Sequence, residues 1–107
     1  MSFSLLINNN KYLKMLKGCE VIFSGTVQGV GFRFFTRNSA LKHDVKGSVM
    51  NLSDGKVKLL AEGCEDNLNN FINDLKNEFK DYINDYTFQD KQVVGDFKDF
   101  KIKFFSS

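Results

Sequence analysis

The clearest periodicity in the chain lies between residues 68 and 79. Leu68, Phe71, Ile72, Leu75 and Phe79 fall at offsets 0, 3, 4, 7 and 11, between acidic and amide residues. That spacing predicts an amphipathic helix. Upstream, Val57, Leu59 and Ala61 share one face of a predicted strand over 56–62, opposite Lys56, Lys58 and Glu62. Phe100-Lys101-Ile102-Lys103-Phe104 alternates strictly and predicts a half-buried strand at the end of the chain. The alternation of Val21 and Phe23 with Glu20 and Ile22 marks another over 19–25, and 45–51 reads as a further one. Residues 82–88 form a weaker strand, with Val93-Val94-Gly95 as its candidate continuation. A helix from Phe32 to about His43 would place Phe32, Phe35, Thr36, Ser39 and Ala40 on one face. Ser53-Asp54-Gly55 signals a tight turn.

The resulting order is strand, helix, strand, strand, helix, strand or strands, the split βαβ arrangement of a ferredoxin-like α+β sandwich. A mixed, largely antiparallel sheet would carry both helices on one face, with a phenylalanine-rich core between. Residues 1–18 read as an N-terminal extension and 19–107 as the domain proper. The extension carries Leu5, Leu6, Ile7, Tyr12, Leu13 and Leu16 around an Asn8-Asn9-Asn10 break, which is compatible with an extra turn or strand or with upstream sequence. The first and third strands are expected to be adjacent and parallel. Cys19 and Cys64 would then sit at opposite ends of the sheet, and no disulfide would join them.

Composition narrows the functional classes. The chain has 107 residues, 42% hydrophobic and 26% charged, with 12 phenylalanines and no proline. These are the proportions of one soluble domain. No apolar run approaches the roughly 20 residues that span a bilayer, and the N-terminus lacks the basic start of a secretory signal. A cytoplasmic location is the expectation. Fifteen basic against thirteen acidic residues give a net charge of +2, too balanced to argue for nucleic acid. Two cysteines do not make a zinc site or a disulfide framework. With His43 the only histidine, mechanisms needing a histidine pair are excluded. Only Arg33 and Arg37 among the basic residues are arginines, and arginine brings a rigid bidentate fork that lysine lacks.

The candidate chemistry centres on Gly25-Thr26-Val27-Gln28-Gly29-Val30-Gly31-Phe32-Arg33. A glycine-bearing loop from a strand into a helix can turn several backbone N–H groups inward. The helix N-terminus adds unpaired donors and the positive end of the dipole. Arg33, in the first helical turn, can close the other side of such an anion site. On spacing alone, an ordinary tight strand–helix connection explains the glycines equally well. No Gly-Lys-Ser/Thr follows, so this is not a Walker loop, and the dinucleotide Gly-x-Gly-x-x-Gly pattern is absent.

This segment resembles the first signature of the acylphosphatases. Gly47-Ser48-Val49-Met50-Asn51, followed by Asp54-Gly55-Lys56-Val57 and Gly63, resembles the second. The resemblance covers roughly residues 19–105 and implies the same ferredoxin-like fold. The implied reaction is hydrolysis of a carboxyl–phosphate anhydride to a carboxylate and inorganic phosphate. It also implies that Arg33 and the backbone of Val27, Gln28, Gly29, Val30 and Gly31 bind the phosphoryl group, and that Asn51 holds the attacking water. No metal or cofactor is implied. The partner is then a small acyl phosphate, without nucleic acid or membrane, and a monomer is the expected state. Such chemistry needs positioning and charge stabilisation more than a strong base. Without the resemblance, Asn51 is simply a strand-end residue before a turn. Arg37 reads as a solvated helix residue or the partner of an acidic side chain, and His43 as a helix C-terminal residue complementing the dipole.

The sequence departs from the family where it has Ser48 in place of a common aromatic residue, which is expected to loosen packing around the second strand. It also has Asn77-Glu78-Phe79-Lys80 where a Gly-Pro pair often follows the second helix, and its extension is longer than usual. Two other readings are weaker. The N-terminal domain of the hydrogenase-maturation carbamoyltransferase resembles an acylphosphatase, but there a proline typically follows the arginine, and here Phe34 does. RNA-recognition domains share the fold, but their aromatic motif lies on the third strand, and residues 56–62 contain no aromatic.

Overall fold

A computed structural model describes residues 5–9 and 12–105, with side-chain surroundings for 15–104. Its elements are β1 (Leu5–Asn9), β2 (Tyr12–Gly25), α1 (Phe32–Lys42), β3 (Lys46–Asn51), β4 (Val57–Cys64), α2 (Glu65–Glu78), β5 (Ile83–Lys91) and β6 (Phe100–Phe105). The two helices and the alternating strands therefore form where periodicity puts them. Val93-Val94-Gly95 does not extend β5 and belongs to the connection that precedes β6.

β2 organises the sheet. β4 runs antiparallel along one of its edges, while β1 and β5 share the other, β1 beside residues 12–16 and β5 beside 18–25. β3 pairs antiparallel with β4 and parallel with β6. The order across the sheet is β5-β2-β4-β3-β6, with β1 prolonging the β5 edge. The N-terminal segment is thus strand on both sides of its asparagine break; Asn10 and Lys11 lie outside the described residues.

The expected parallel pairing of the first and third principal strands is wrong. β3 returns through a tight turn, closed by Gly55 N–H to the Leu52 carbonyl (3.2 Å) and Leu52 N–H to the Lys56 carbonyl (2.8 Å). The strand that follows must run antiparallel to β3. The helical crossover makes β3 parallel to β2, so β4, lying between them, opposes both. Cys19 and Cys64 consequently lie at the same end of the sheet, opposite Ala61 and Leu16 respectively. Both thiols are free. Three ladder positions, about 10 Å, separate them, and alternation turns them to opposite faces. Cys19 is buried in the core, and that burial pushes its thiol up to about 12.

One face of the sheet contributes Cys19, Val21, Phe23, Val49, Val57, Leu59 and Ala61 to a single core with Phe32 and Ala40 of α1 and Leu68, Phe71, Ile72 and Leu75 of α2. Aromatic rings run through it, Phe23 to Phe32 at 5.1 Å and Phe32 to Phe79 at 4.7 Å between centroids. Glu62 lies opposite the core face, where alternation places it, yet is only 7% exposed. Residues 92–99 fold over that face, and the Glu62 carboxylate accepts the Val94 and Gly95 N–H groups at 2.9 and 3.3 Å. Phe104, expected inside with Phe100 and Ile102, is 74% exposed. The β3–β6 register shifts there, with Met50 opposite Lys103 but Asn51 opposite Phe105; Phe104 is the extra residue of a bulge. Ser48 is buried and its Oγ has no partner among the described residues. It borders an open cleft of about 400 Å³ between β3, β6 and residues 96–99.

α1 ends in a left-handed turn. Asp44 has φ 55°, the Val45 N–H reaches the Ala40 carbonyl at 2.9 Å, and the Asp44 N–H reaches that of Leu41 at 3.4 Å, the double bond of a Schellman cap. His43 Nε2 lies 2.6 Å from Asp74 Oδ2, and the Ser39 hydroxyl donates to the same oxygen at 3.2 Å. This clasp ties α1 to α2 and, led by the His43 hydrogen bond, lowers the Asp74 carboxyl from its ordinary 3.8.

Two predictions follow from these contacts. Asp44→Gly relieves the left-handed strain and removes an acidic group from a helix C-terminus, so it stabilises the fold by about 0.5–1 kcal/mol in urea unfolding. Because the folded-state pKa of Asp74 is depressed, its contribution is full above the unfolded value and disappears as pH falls through the folded one. The melting-temperature gap between the wild type and Asp74→Asn is therefore wide at neutral pH. It narrows below about pH 4.

Candidate active site

The connection from β2 to α1 is short, and Phe32, the first residue of α1, is 1% exposed in the core. Gly29 and Gly31 take φ of 78° and 82°. A Cβ at either would meet nothing within 4 Å, so the demand for glycine is conformational rather than spatial. Gly31 is the N-cap of α1. It supplies no side-chain acceptor, and the first turn contains no acidic residue. The opening N–H groups of the helix are left without side-chain partners, and the positive end of the dipole is not offset locally.

Around this terminus lies a cavity of about 240 Å³ lined by Val27, Gly29, Gly31, Phe32, Arg33, Phe34 and Asn51. Of the residues singled out in the sequence, Val27, Gly29, Gly31, Arg33 and Asn51 therefore meet at one site. No carboxylate lines it. Arg33 Nη1 donates to the Lys103 carbonyl at 3.4 Å, and the guanidinium carbon lies 5.9 Å from the centre of the Phe104 ring. Among the described residues Arg33 forms no ion pair, so no carboxylate neutralises its charge beside the cavity. Asn51, at the end of β3, has a buried side-chain Oδ1 with no partner among the described residues. An unpaired buried acceptor is costly, and here it borders a polar, cationic cavity.

The side chains of Gln28 and Val30 serve the scaffold. Val30 packs against the core. Gln28 Nε2 donates to the carbonyls of Leu52 (2.8 Å) and Lys56 (2.9 Å). It thereby ties the glycine loop to the β3–β4 turn next to Asn51. Nothing in the local sequence signals this, since the partners lie 24 and 28 residues away. Phe34, 60% exposed at the cavity mouth, and Phe104 are further residues that the sequence did not single out. Arg37 has no acidic partner among the described residues; its guanidinium lies 5.9 Å from the Phe34 ring. His43 is remote from the cavity, in the clasp with Asp74. The described residues contain no helix long and apolar enough to cross a membrane.

Comparison with known proteins gives a consistent picture. The sequence model of the acylphosphatase family matches residues 19–102. An acylphosphatase of Thermotoga maritima is 38% identical over 91 residues, covering 84% of this chain and 100% of the relative. The crystal structure of acylphosphatase from Bacillus subtilis superposes with a TM-score of 0.74 at 34% identity, covering 83% of this chain and 99% of that one. Full-length HypF, in its phosphate- and nucleotide-bound form, is similar to this chain with a TM-score of 0.77 at 31% identity. That match covers 90% of this chain and 13% of HypF.

The Gln28 tether has a measurable consequence. Gln28→Ala removes two hydrogen bonds, but both carbonyls keep a backbone partner. The cost is therefore about 1–2 kcal/mol rather than that of two orphaned groups. Urea unfolding measures it, and backbone amide exchange in residues 27–31 should rise in the same variant.

Proposed function

The chain belongs to the acylphosphatase family, and from that premise we propose how its cavity hydrolyses an acyl phosphate. The backbone N–H groups of residues 27–31 and the first turn of α1 receive the phosphoryl oxygens, and the Arg33 guanidinium closes over them with two parallel donors. Asn51 Oδ1 accepts a hydrogen bond from the attacking water and fixes its lone pair on phosphorus. The observation that carries this reading is the meeting, in one cavity without carboxylates, of an unneutralised arginine, an uncapped helix N-terminus and an unpaired amide oxygen.

Each step balances without a strong base. Water oxygen bonds to phosphorus, and the bond from phosphorus to the acyl oxygen breaks. The carboxylate leaves with that bond's electron pair. The water proton passes to a phosphoryl oxygen, giving inorganic phosphate. A neutral amide orients water but cannot take up its proton. The leaving carboxylate is a weak base, with a conjugate acid near pH 4, and needs no proton to depart. Catalysis is then positioning and stabilisation of charge on the equatorial oxygens.

The test is hydrolysis of benzoyl phosphate by the full chain, beside Arg33→Ala and Asn51→Ala, each checked for folding by circular dichroism. Both variants should lose on the order of 10²–10³ in turnover. Arg33→Ala should also weaken competitive inhibition by inorganic phosphate, whereas Asn51→Ala should not. Near-wild-type turnover in Asn51→Ala removes the water-holding role. Undiminished phosphate inhibition in Arg33→Ala removes the phosphate grip.

A further inference from the structure

We propose that Phe34 and Phe104 form an aromatic rim at the cavity mouth that selects acyl phosphates with an aromatic acyl group over those with a small one such as acetyl. This inference rests on the phosphoryl group occupying the cavity as proposed above. With that end held by Arg33 and the loop, the acyl group projects outward through the mouth, where the rings stand.

Both rings are exposed, 60% for Phe34 and 74% for Phe104, in a protein that buries Phe23, Phe32, Phe71, Phe79 and Phe100. Phe34 neighbours Arg33 in the first turn of α1 and lines the cavity itself. Phe104 belongs by alternation to the buried face of β6, and only the bulge opposite Met50 and Asn51 turns it outward. Asn51, across that bulge, lines the same cavity. Two unrelated backbone features thus put one aromatic side chain in the cavity lining and another beside Arg33, which lines the same cavity.

Each ring also lies beside a cation. Each has a guanidinium 5.9 Å from its centre, Arg37 at Phe34 and Arg33 at Phe104, a cation–π arrangement. Among the described residues Arg37 Nε is buried without a partner and the guanidinium forms no ion pair. Arg33 bonds the carbonyl of Lys103, the residue before Phe104, which keeps the ring beside the cation that grips phosphate. A flat aryl group leaving the cavity can cover a ring face and remove apolar surface from water; an acetyl group is too small to do so.

The experiment compares kcat/KM for benzoyl phosphate and acetyl phosphate in the wild type, Phe34→Ala, Phe34→Tyr and Phe104→Ala, with the inhibition constant of inorganic phosphate measured for each. In Phe34→Ala the benzoyl-to-acetyl ratio should fall about 3- to 10-fold, through KM for benzoyl phosphate. Phosphate inhibition should stay at the wild-type level, and Phe34→Tyr should keep the wild-type ratio. Phe104→Ala should lower the ratio in the same sense. An unchanged ratio in both alanine variants overturns the rim. So does a loss confined to Phe104→Ala and matched by weaker phosphate inhibition, since Phe104 would then act only through Arg33. A folded wild type that hydrolyses neither substrate overturns the phosphoryl reading, and the rim with it.

Discussion

The site depends on the burial of Phe32. It is the first residue of α1, yet its ring is locked between Phe23 and Phe79 in the centre of the core. A helix that starts with an anchored residue cannot rotate or slide at that end. The adjacent Arg33 is therefore held in the cavity lining, and Gly31 is held at the turn that begins the helix. The aromatic packing beneath the loop sets the geometry of the polar groups above it, because a dense interior transmits position with little give.

A second constraint joins the halves of the site. Asn51 lies on β3 and the glycine loop follows β2, strands separated by β4. The Gln28 amide bridges them through the carbonyls on either side of the β3–β4 turn. The separation between loop and amide is thus fixed by two direct hydrogen bonds in addition to the sheet. Preorganisation of this kind lets a reaction without a strong base proceed through orientation and charge.

Much of this was legible in the sequence because it is periodic. The stripe from Leu68 to Phe79 and the alternation of Val57, Leu59 and Ala61 reflect burial on one face, and burial is what periodicity encodes. The glycine loop and Arg33 could be read because conformation and charge there are properties of individual residues. The parallel pairing expected of β2 and β4 contradicted features legible in the sequence, since the tight turn at 53–55 and the α1 crossover together make the two strands antiparallel. The other failures come from pairing between distant segments. The burial of Glu62 depends on residues 92–99 folding across a face that alternation marks as wet, and the outward turn of Phe104 on a bulge against β3. The Gln28 bonds lie in the same category. None of these can be found by inspecting neighbours in the chain.

The bond from Arg33 to the Lys103 carbonyl spans 70 positions, and β6 closes the sheet on the edge beside β3. The consequence concerns synthesis. Loop, arginine and amide all leave the ribosome before β6, the strand that supports the arginine. Chains stalled or cut before β6 carry every polar group of the cavity and lack the strand that holds Arg33 in place. Such fragments also expose the β3 edge and the core around Phe71 that Phe100 covers, the features of an aggregation-prone chain.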